Sequence, residues 1–243
     1  LLLSRILPLA EYGYFTLALL VSSGVMLISG PVGNAIMPRM ARLEAEGARA
    51  QLVRVYRHAT QLVAVVAGAL SITIALSAEA LLWVWTGDRA VAQHAAPVLQ
   101  LYALGNGVLA VSAFPYYLQF AKGDLRLHLI GNAAFVIMLI PLLIWSTTRF
   151  GGIGAGYVWL GTNLLSFIAW LPFVHHRFEP GLNLRWYIND IVVIVAATIL
   201  IGYVANLLLP PSGSRVNQLT DIMLVGVAAL MAGAAASSAI RSK

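Results

Sequence analysis

The chain contains no cysteine. Disulfides and thiolate-bound metals are therefore excluded, although the compartment stays open, because few membrane spans need cysteine. Charge is nearly as scarce. Only 10% of the 243 residues are Asp, Glu, Lys or Arg, where a soluble domain carries about a quarter. Acids are the scarcer sign, nine against fifteen Lys and Arg. A surface this poor in charge has no way to face water, and the remaining solvent is lipid. Also missing is a basic stripe interleaved with aromatics, so nucleic acid is excluded as a partner. The formal charge of +6 falls instead in short links between apolar runs, as membrane topology requires.

What the chain does have is apolar length. Hydrophobic residues make up 60% of it, and the mean hydropathy is +0.85. Seven segments are long enough to cross a hydrocarbon core, near 13–38, 59–82, 95–118, 126–146, 153–174, 187–209 and 218–240. Their apolar runs are continuous rather than alternating, which predicts helices and not barrel strands. The expected fold class is an all-α integral membrane protein with about seven transmembrane helices. The opening LLLSRILPLA has no initiator Met, no basic n-region and no clear cleavage site. Residues 1–12 therefore read as the outer end of a preceding span in a fragment. Five spans follow over 13–174, then a linker and two more spans over 175–243.

The links assign sides. One set holds Arg39, Arg42, Arg49, Arg54, Arg57, Lys122, Arg126, Arg177, Arg185, Arg241 and Lys243; the other holds Arg5, Arg89, Arg149 and Arg215. The richer set is expected on the cytoplasmic side, together with the C-terminus. The longest link, 39–58, carries mixed charges in a helix-like pattern and is expected to lie as an interfacial helix on the headgroups.

Most tempting motifs have plain explanations. GGIGAG at 151–156 lacks the GxGxxG spacing and no strand precedes it. Gly152 and Gly156 instead form a small-xxx-small pair for close helix packing, and AGAAASSA at 232–239 reads the same way. His175 and His176 are adjacent, so they face different sides of a helix and lack a third ligand; an interfacial pair is expected. The tryptophans Trp83, Trp85, Trp145, Trp159, Trp170 and Trp186 are expected in the aromatic belts. The acids, Asp190 and Asp221 among them, read as loop or span-end residues without a deep intramembrane pair. No catalytic, metal or cofactor motif is visible, which points away from an enzyme.

Two polar stretches inside spans stand out. GPVGNAIMPRM at 30–40 places Pro31, Gly33, Asn34 and Pro38 toward the inner end of the first complete span. FPYYLQFAKGD at 114–124 places Pro115, Tyr116, Tyr117 and Gln119 at the corresponding end of the third. Helices broken at similar depth point to a transport pathway, or else are ordinary kinks of lipid-embedded helices. Asn106, Asn132 and Asn163 read as bridges between helices, and Gln61 fits either role.

LLLSRILPLAEYGYFTLA, PVGNAIMPRMARLEAEG, LLWVWTGD and APVLQLYALGNGVLAVSAFPYYLQFAKGDLRLHLIGN together resemble the O-antigen flippase (Wzx-type) polysaccharide biosynthesis proteins. These belong to the multidrug/oligosaccharidyl-lipid/polysaccharide exporter superfamily. The similarity is clearest from Leu1 to about Arg185 and weak in the last two spans. The resemblance implies a MATE-like fold of two helical lobes around a central cavity. This chain would supply the C-terminal lobe plus two extra spans, and the N-terminal lobe is absent.

The implied activity is translocation of an undecaprenyl-diphosphate-linked oligosaccharide across the bacterial inner membrane, beside lipids and other polysaccharide-assembly proteins. In that reading Arg39, Arg54 and Arg57 are candidates for the diphosphate, or else topological anchors, and Arg5 serves the outer mouth. Asn34, Tyr116, Tyr117 and Gln119 are candidates for contacting sugar. Two alternatives stay open: a drug/cation antiporter of the same superfamily, which would use a deep acid, and a membrane ligase or polymerase of polysaccharide assembly.

Overall fold

The computed structural model describes residues 2–209 and 213–241, with the side chain of Arg241 not described. These residues are helical nearly throughout, with no strand among them. Six helical stretches are long and apolar enough to cross a membrane. We number the helices α1 (Leu9–Ala45), α2 (Arg49–Leu76), α3 (Ala78–Thr86), α4 (Arg89–Ala121), α5 and α6 (the two arms of Arg126–Phe178), α7 (Asn183–Leu208), α8 (Arg215–Ala236) and α9 (Ser238–Arg241).

The fourth stretch is a hairpin. Gly151 has φ 63° and ψ −149°, a conformation open essentially to glycine alone. Ser146 Oγ donates to Gly154 O at 3.0 Å, whereas eight residues of continuous helix would separate them by about 12 Å. Farther down the arms Phe135 meets Trp159, ring centroids 6.5 Å apart, and the Trp170 ring covers Gly131. So α5 and α6 run antiparallel, and all seven segments expected from the sequence are present as helices.

Their boundaries differ in informative ways. The first is longer than 13–38. It is broken by a 3-10 stretch at Ser23–Ile28, not at its prolines. Pro31 falls in the first turn of the restarted helix, where its missing N–H costs nothing, and Pro38 is carried inside it. The second ends at Leu76 rather than at 82, and α3 starts afresh after Ser77. The third does break where expected: its α-helix ends at Ser112 and restarts at Phe114 with Pro115 in the first turn.

The expected interfacial helix over 39–58 does not exist. Residues 39–45 extend α1, residues 49–58 begin α2, and the chain turns between them at Gly47, φ 67°. Met40, Leu43, Leu52 and Tyr56 are buried in one apolar cluster. Their burial holds the two extensions against each other and leaves the charges on the outer faces.

Helix α2 is the hub, packed against α1, α4, α7 and α8. Lipid offers no hydrophobic drive between helices, so packing depends on small residues and on hydrogen bonds. Gly233 of α8 lies 3.6 Å from the Val65 backbone, counted from where its Cβ would be, and Gly156 of α6 sits against Leu101 of α4. Both small-residue motifs therefore act as packing sites. Asn106 bridges as expected: its Nδ2 donates to Ser22 O at 2.9 Å, and Trp159 Nε1 donates to its Oδ1 at 3.0 Å. Among the described residues, the side chains of Asn132 and Asn163 bond only within their own helices.

The contacts sort the links into two ends. At one end Glu11 accepts from the Gly152 amide, Tyr14 stacks on His94, and Arg215 donates to Val84 O. At the other, Arg49 meets Glu179, Lys122 meets Glu44, and Gln61 meets Ser238. The second is the basic end. It gathers the richer Lys/Arg set, of which Lys243 lies outside the described residues. Arg5 is exposed in a turn at the opposite end.

Two expectations about ring residues need correction. Trp186 is 0% exposed and donates to Thr60 Oγ1 at 3.0 Å, so it is a core residue and not part of a belt. His175 is likewise fully buried. Its Nε2 meets Tyr56 Oη at 2.7 Å and its Nδ1 meets Asn183 Oδ1 at 2.8 Å, while His176 is exposed. The two adjacent histidines do face different sides, but only one reaches the surface.

Candidate functional site

The Pro115 break sets the geometry of the main cleft. The helix restarts at Phe114 and runs to Ala121, and it brings Gln119 inward, where it is 2% exposed. Gln119 Nε2 donates to Pro115 O at 3.2 Å, and its Oε1 is a buried acceptor with no hydrogen-bond partner among the described residues. The segment stops at Gly123, φ 69°. Asp124 then closes the turn before the next helix, its Oδ1 accepting from the Arg126 amide at 3.1 Å.

Beside this segment, between α4, α5 and α6, lies a cleft of about 280 Å³. Tyr116, Gln119, His128, Asn132, Asn163 and Trp170 line it together with apolar neighbours. The Tyr116 ring packs on His128 with centroids 4.5 Å apart. Asn132 Nδ2 donates to His128 Nε2 at 3.0 Å. Asn163 donates to Trp159 O at 2.7 Å, which leaves its own Oδ1 uncommitted. No Asp, Glu, Lys or Arg lines the cleft. Amides supply directional donors and acceptors, and the rings supply flat apolar faces. That combination suits a neutral, hydroxyl-rich ligand with C–H faces.

The structure divides the residues singled out in the sequence. Tyr116 and Gln119 share the cleft. Tyr117 does not: it is buried and packs over Gly33 of α1, filling the space a side chain there would need. Asn34 and Arg39 are exposed on α1 and do not line the cleft. Arg54 and Arg57 sit elsewhere, lining a shallow pocket of about 290 Å³ with His58, Gln61 and Ser238.

Arg57 is already committed. Its Nε and Nη2 donate to the two oxygens of Asp190 at 2.6 and 2.9 Å. Asp190 is 0% exposed and also accepts from Gln61 Nε2 at 2.6 Å. Gln61 Oε1 in turn accepts from Ser237 Oγ at 2.8 Å and from the Ala239 amide at 2.9 Å. One carboxamide thus ties α2 to α7 and to the end of α8. Asp190 lies in a π-helical stretch, Ile188–Val192, at the start of α7.

This buried pair corrects the reading of Asp190 as an unpartnered span-end residue. An acid placed inside the predicted 187–209 span was the available signal. His128 and Asn132 were also missed as cleft residues. Their i,i+4 spacing just after the Tyr116 segment was the clue.

A second polar knot holds the links at the basic end. Glu179 is 2% exposed and meets Arg49 at 2.8 Å and Lys122 at 2.9 Å; Lys122 also meets Glu44 at 3.1 Å. Burial works to lower the Lys122 pKa. The two carboxylates more than offset it, so the ammonium is held above the ordinary lysine value.

Fold and cleft define an α-helical protein of the multi-pass membrane class, with a polar, uncharged cleft at its basic end. No protein-family model, curated protein or solved structure matches the chain.

Proposed function

We propose that this chain is part of a transporter that moves an undecaprenyl-diphosphate-linked oligosaccharide across the bacterial inner membrane for surface polysaccharide synthesis, by alternating access. The observation that carries this reading is the cleft beside Pro115, with its amides, its rings and the unpartnered Gln119 Oε1. A buried acceptor left alone costs about 1–3 kcal/mol. A sugar hydroxyl entering the cleft recovers that cost, while the rings take its apolar face. The cleft lies near the basic end, which is the cytoplasmic end in this reading and the side on which the substrate is made.

The lipid tail needs a different surface. Between α2, α4, α6 and α7 lies an almost wholly apolar groove of about 470 Å³, lined by Gly68, Leu104, Val108, Leu160, Leu164 and Ile199 among others. A prenyl chain can lie there within the hydrocarbon while the headgroup stays hydrated. Arg57 gives Nε and Nη2 to Asp190, so contacts to the diphosphate fall mainly to the exposed Arg39 and Arg54. The antiporter alternative gains little from Asp190, because that acid is held by Arg57 and Gln61.

The test is a titration of the purified protein with the lipid-linked oligosaccharide, following tryptophan fluorescence, with Trp170→Phe to assign the signal. Gln119→Leu is expected to weaken binding about tenfold, equivalent to roughly 1.4 kcal/mol. The same variant is expected to leave thermal stability unchanged or slightly raised, since it removes an unpaired acceptor. Undecaprenyl phosphate without sugar is expected to leave the Trp170 signal unchanged. Equal binding by wild type and Gln119→Leu would remove the cleft from the account.

A further inference from the structure

A second cleft at the basic end plays no part in that reading. It measures about 710 Å³, is open to the surface, and lies between the start of α2 and the link from α6 to α7. Arg49, Val53, Arg57, Gly181, Leu182 and Arg185 line it. Its acid, Glu179, is almost wholly buried and neutralised by Arg49 and Lys122.

The arginines keep donors to spare. Arg49 spends only Nε on Glu179, and its side chain is 64% exposed. Arg57 spends Nε and Nη2 on Asp190 and retains Nη1. Arg185 is exposed, and its side chain makes no ion pair or hydrogen bond among the described residues. Guanidinium forks in this arrangement match the oxygens of a phosphate.

The surface next to the cleft says where that phosphate comes from. Leu184, Ile188 and Val192 are 69%, 45% and 51% exposed. They are spaced four apart along α7, so they form one apolar stripe leading from beside Arg185 into the span. A free anion has no use for such a stripe, whereas an acyl chain does. The cleft also sits at the end of the apolar helices, the depth at which lipid phosphates lie.

We propose that this cleft binds an anionic phospholipid, with the phosphate between Arg49 and Arg185 and one acyl chain along Leu184, Ile188 and Val192. The bound lipid would cover the junction where α2, the link and α7 meet. It is a site distinct from the amide cleft between α4, α5 and α6.

Native mass spectrometry of the purified full chain in detergent, supplied with phosphatidylglycerol or phosphatidylcholine, tests this. Wild type is expected to retain phosphatidylglycerol and not phosphatidylcholine. Each arginine near a headgroup is worth about a fivefold change in affinity. Arg185→Gln is therefore expected to lower retention about fivefold, and Arg49→Gln with Arg185→Gln at least tenfold. Arg177→Gln, exposed at the same end but outside the cleft, is expected to leave retention at the wild-type level. Arg185→Gln breaks no contact, so it remains informative if Arg49→Gln fails to fold. Equal retention by Arg185→Gln and wild type would overturn the site. Displacement of the lipid by inorganic phosphate at equal concentration would make it a free-anion site and overturn the lipid assignment. No oligosaccharide is present in either arm, so failure here leaves the translocation reading untouched.

Discussion

Replacing Gly151 by valine is expected to disrupt the α5–α6 hairpin and to cost the protein on the order of 4 kcal/mol. Two effects add. The backbone there, φ 63° and ψ −149°, is strained by about 1–3 kcal/mol for any residue with a Cβ. That Cβ would also overlap the Glu11 carboxylate, whose Oε1 accepts from the Gly152 amide at 2.6 Å. A hydrogen bond to a charged acceptor contributes about 1.5–3 kcal/mol, and moving Glu11 aside forfeits it.

Gly181 gives the control. It too has a positive φ, 88°, but no atom lies near where its Cβ would be. Gly181→Val carries only the backbone strain, so it should cost clearly less. Thermal unfolding of the two variants in the same detergent checks the difference. Equal losses would mean that the Glu11 clamp does not hold the hairpin. The consequence reaches the site, because α5 and α6 form two walls of the amide cleft.

Asp190→Leu is expected to be the most damaging change at the basic end. It leaves Arg57 and Gln61 facing a partner that can no longer accept. Breaking one side of a buried ion pair costs about 3–5 kcal/mol. The double variant Arg57→Met with Asp190→Leu is expected to recover most of the loss, because removing both charges also removes the cost of burying them. Gln61 tests the reach of the same network. Gln61→Leu should loosen the C-terminal end of α8, seen as faster proteolysis there, since its carboxamide is what Ser237 and Ala239 donate to. A double variant no more stable than Asp190→Leu alone would show that the pair is not acting as a unit.

These two clamps mark the limit of what could be read from residues alone. Hydropathy and length place all seven helices, because the cost of burying polar backbone in lipid leaves little choice. Pro115 locates its break correctly: the α-helix ends at Ser112 and restarts at Phe114, with the proline in the first turn. Pro31 and Pro38 do not: the break lies upstream, in the 3-10 stretch at Ser23–Ile28, which leaves Pro31 in the first turn of the restarted helix and Pro38 inside it. The charged link 39–58 is misread as well. Its apolar residues Met40, Leu43, Leu52 and Tyr56 find a protein partner in each other and in the core, so they do not seek the membrane surface.

The candidate site was half legible. Tyr116 and Gln119 are neighbours in sequence and remain neighbours in the cleft. Arg57 looked like a free cation because its partner, Asp190, lies far along the chain. Helix packing alone brings them together, and no spacing rule within one helix reveals it. Asn132 and Asn163 face the same cleft only because the chain reverses at Gly151. The reversal itself was legible, because the expected spans 126–146 and 153–174 leave a link between them; which residues of the two arms would face each other was not.

The central claim is that the amide cleft receives the sugar headgroup of a lipid-linked oligosaccharide in transit between leaflets. The most direct measurement reconstitutes the complete gene product in liposomes and follows movement of a labelled undecaprenyl-diphosphate oligosaccharide from one leaflet to the other. The expected result is exchange well above protein-free liposomes, lowered about tenfold by Gln119→Leu with thermal stability retained. Exchange no faster than in protein-free liposomes, or equal in wild type and Gln119→Leu, would contradict it.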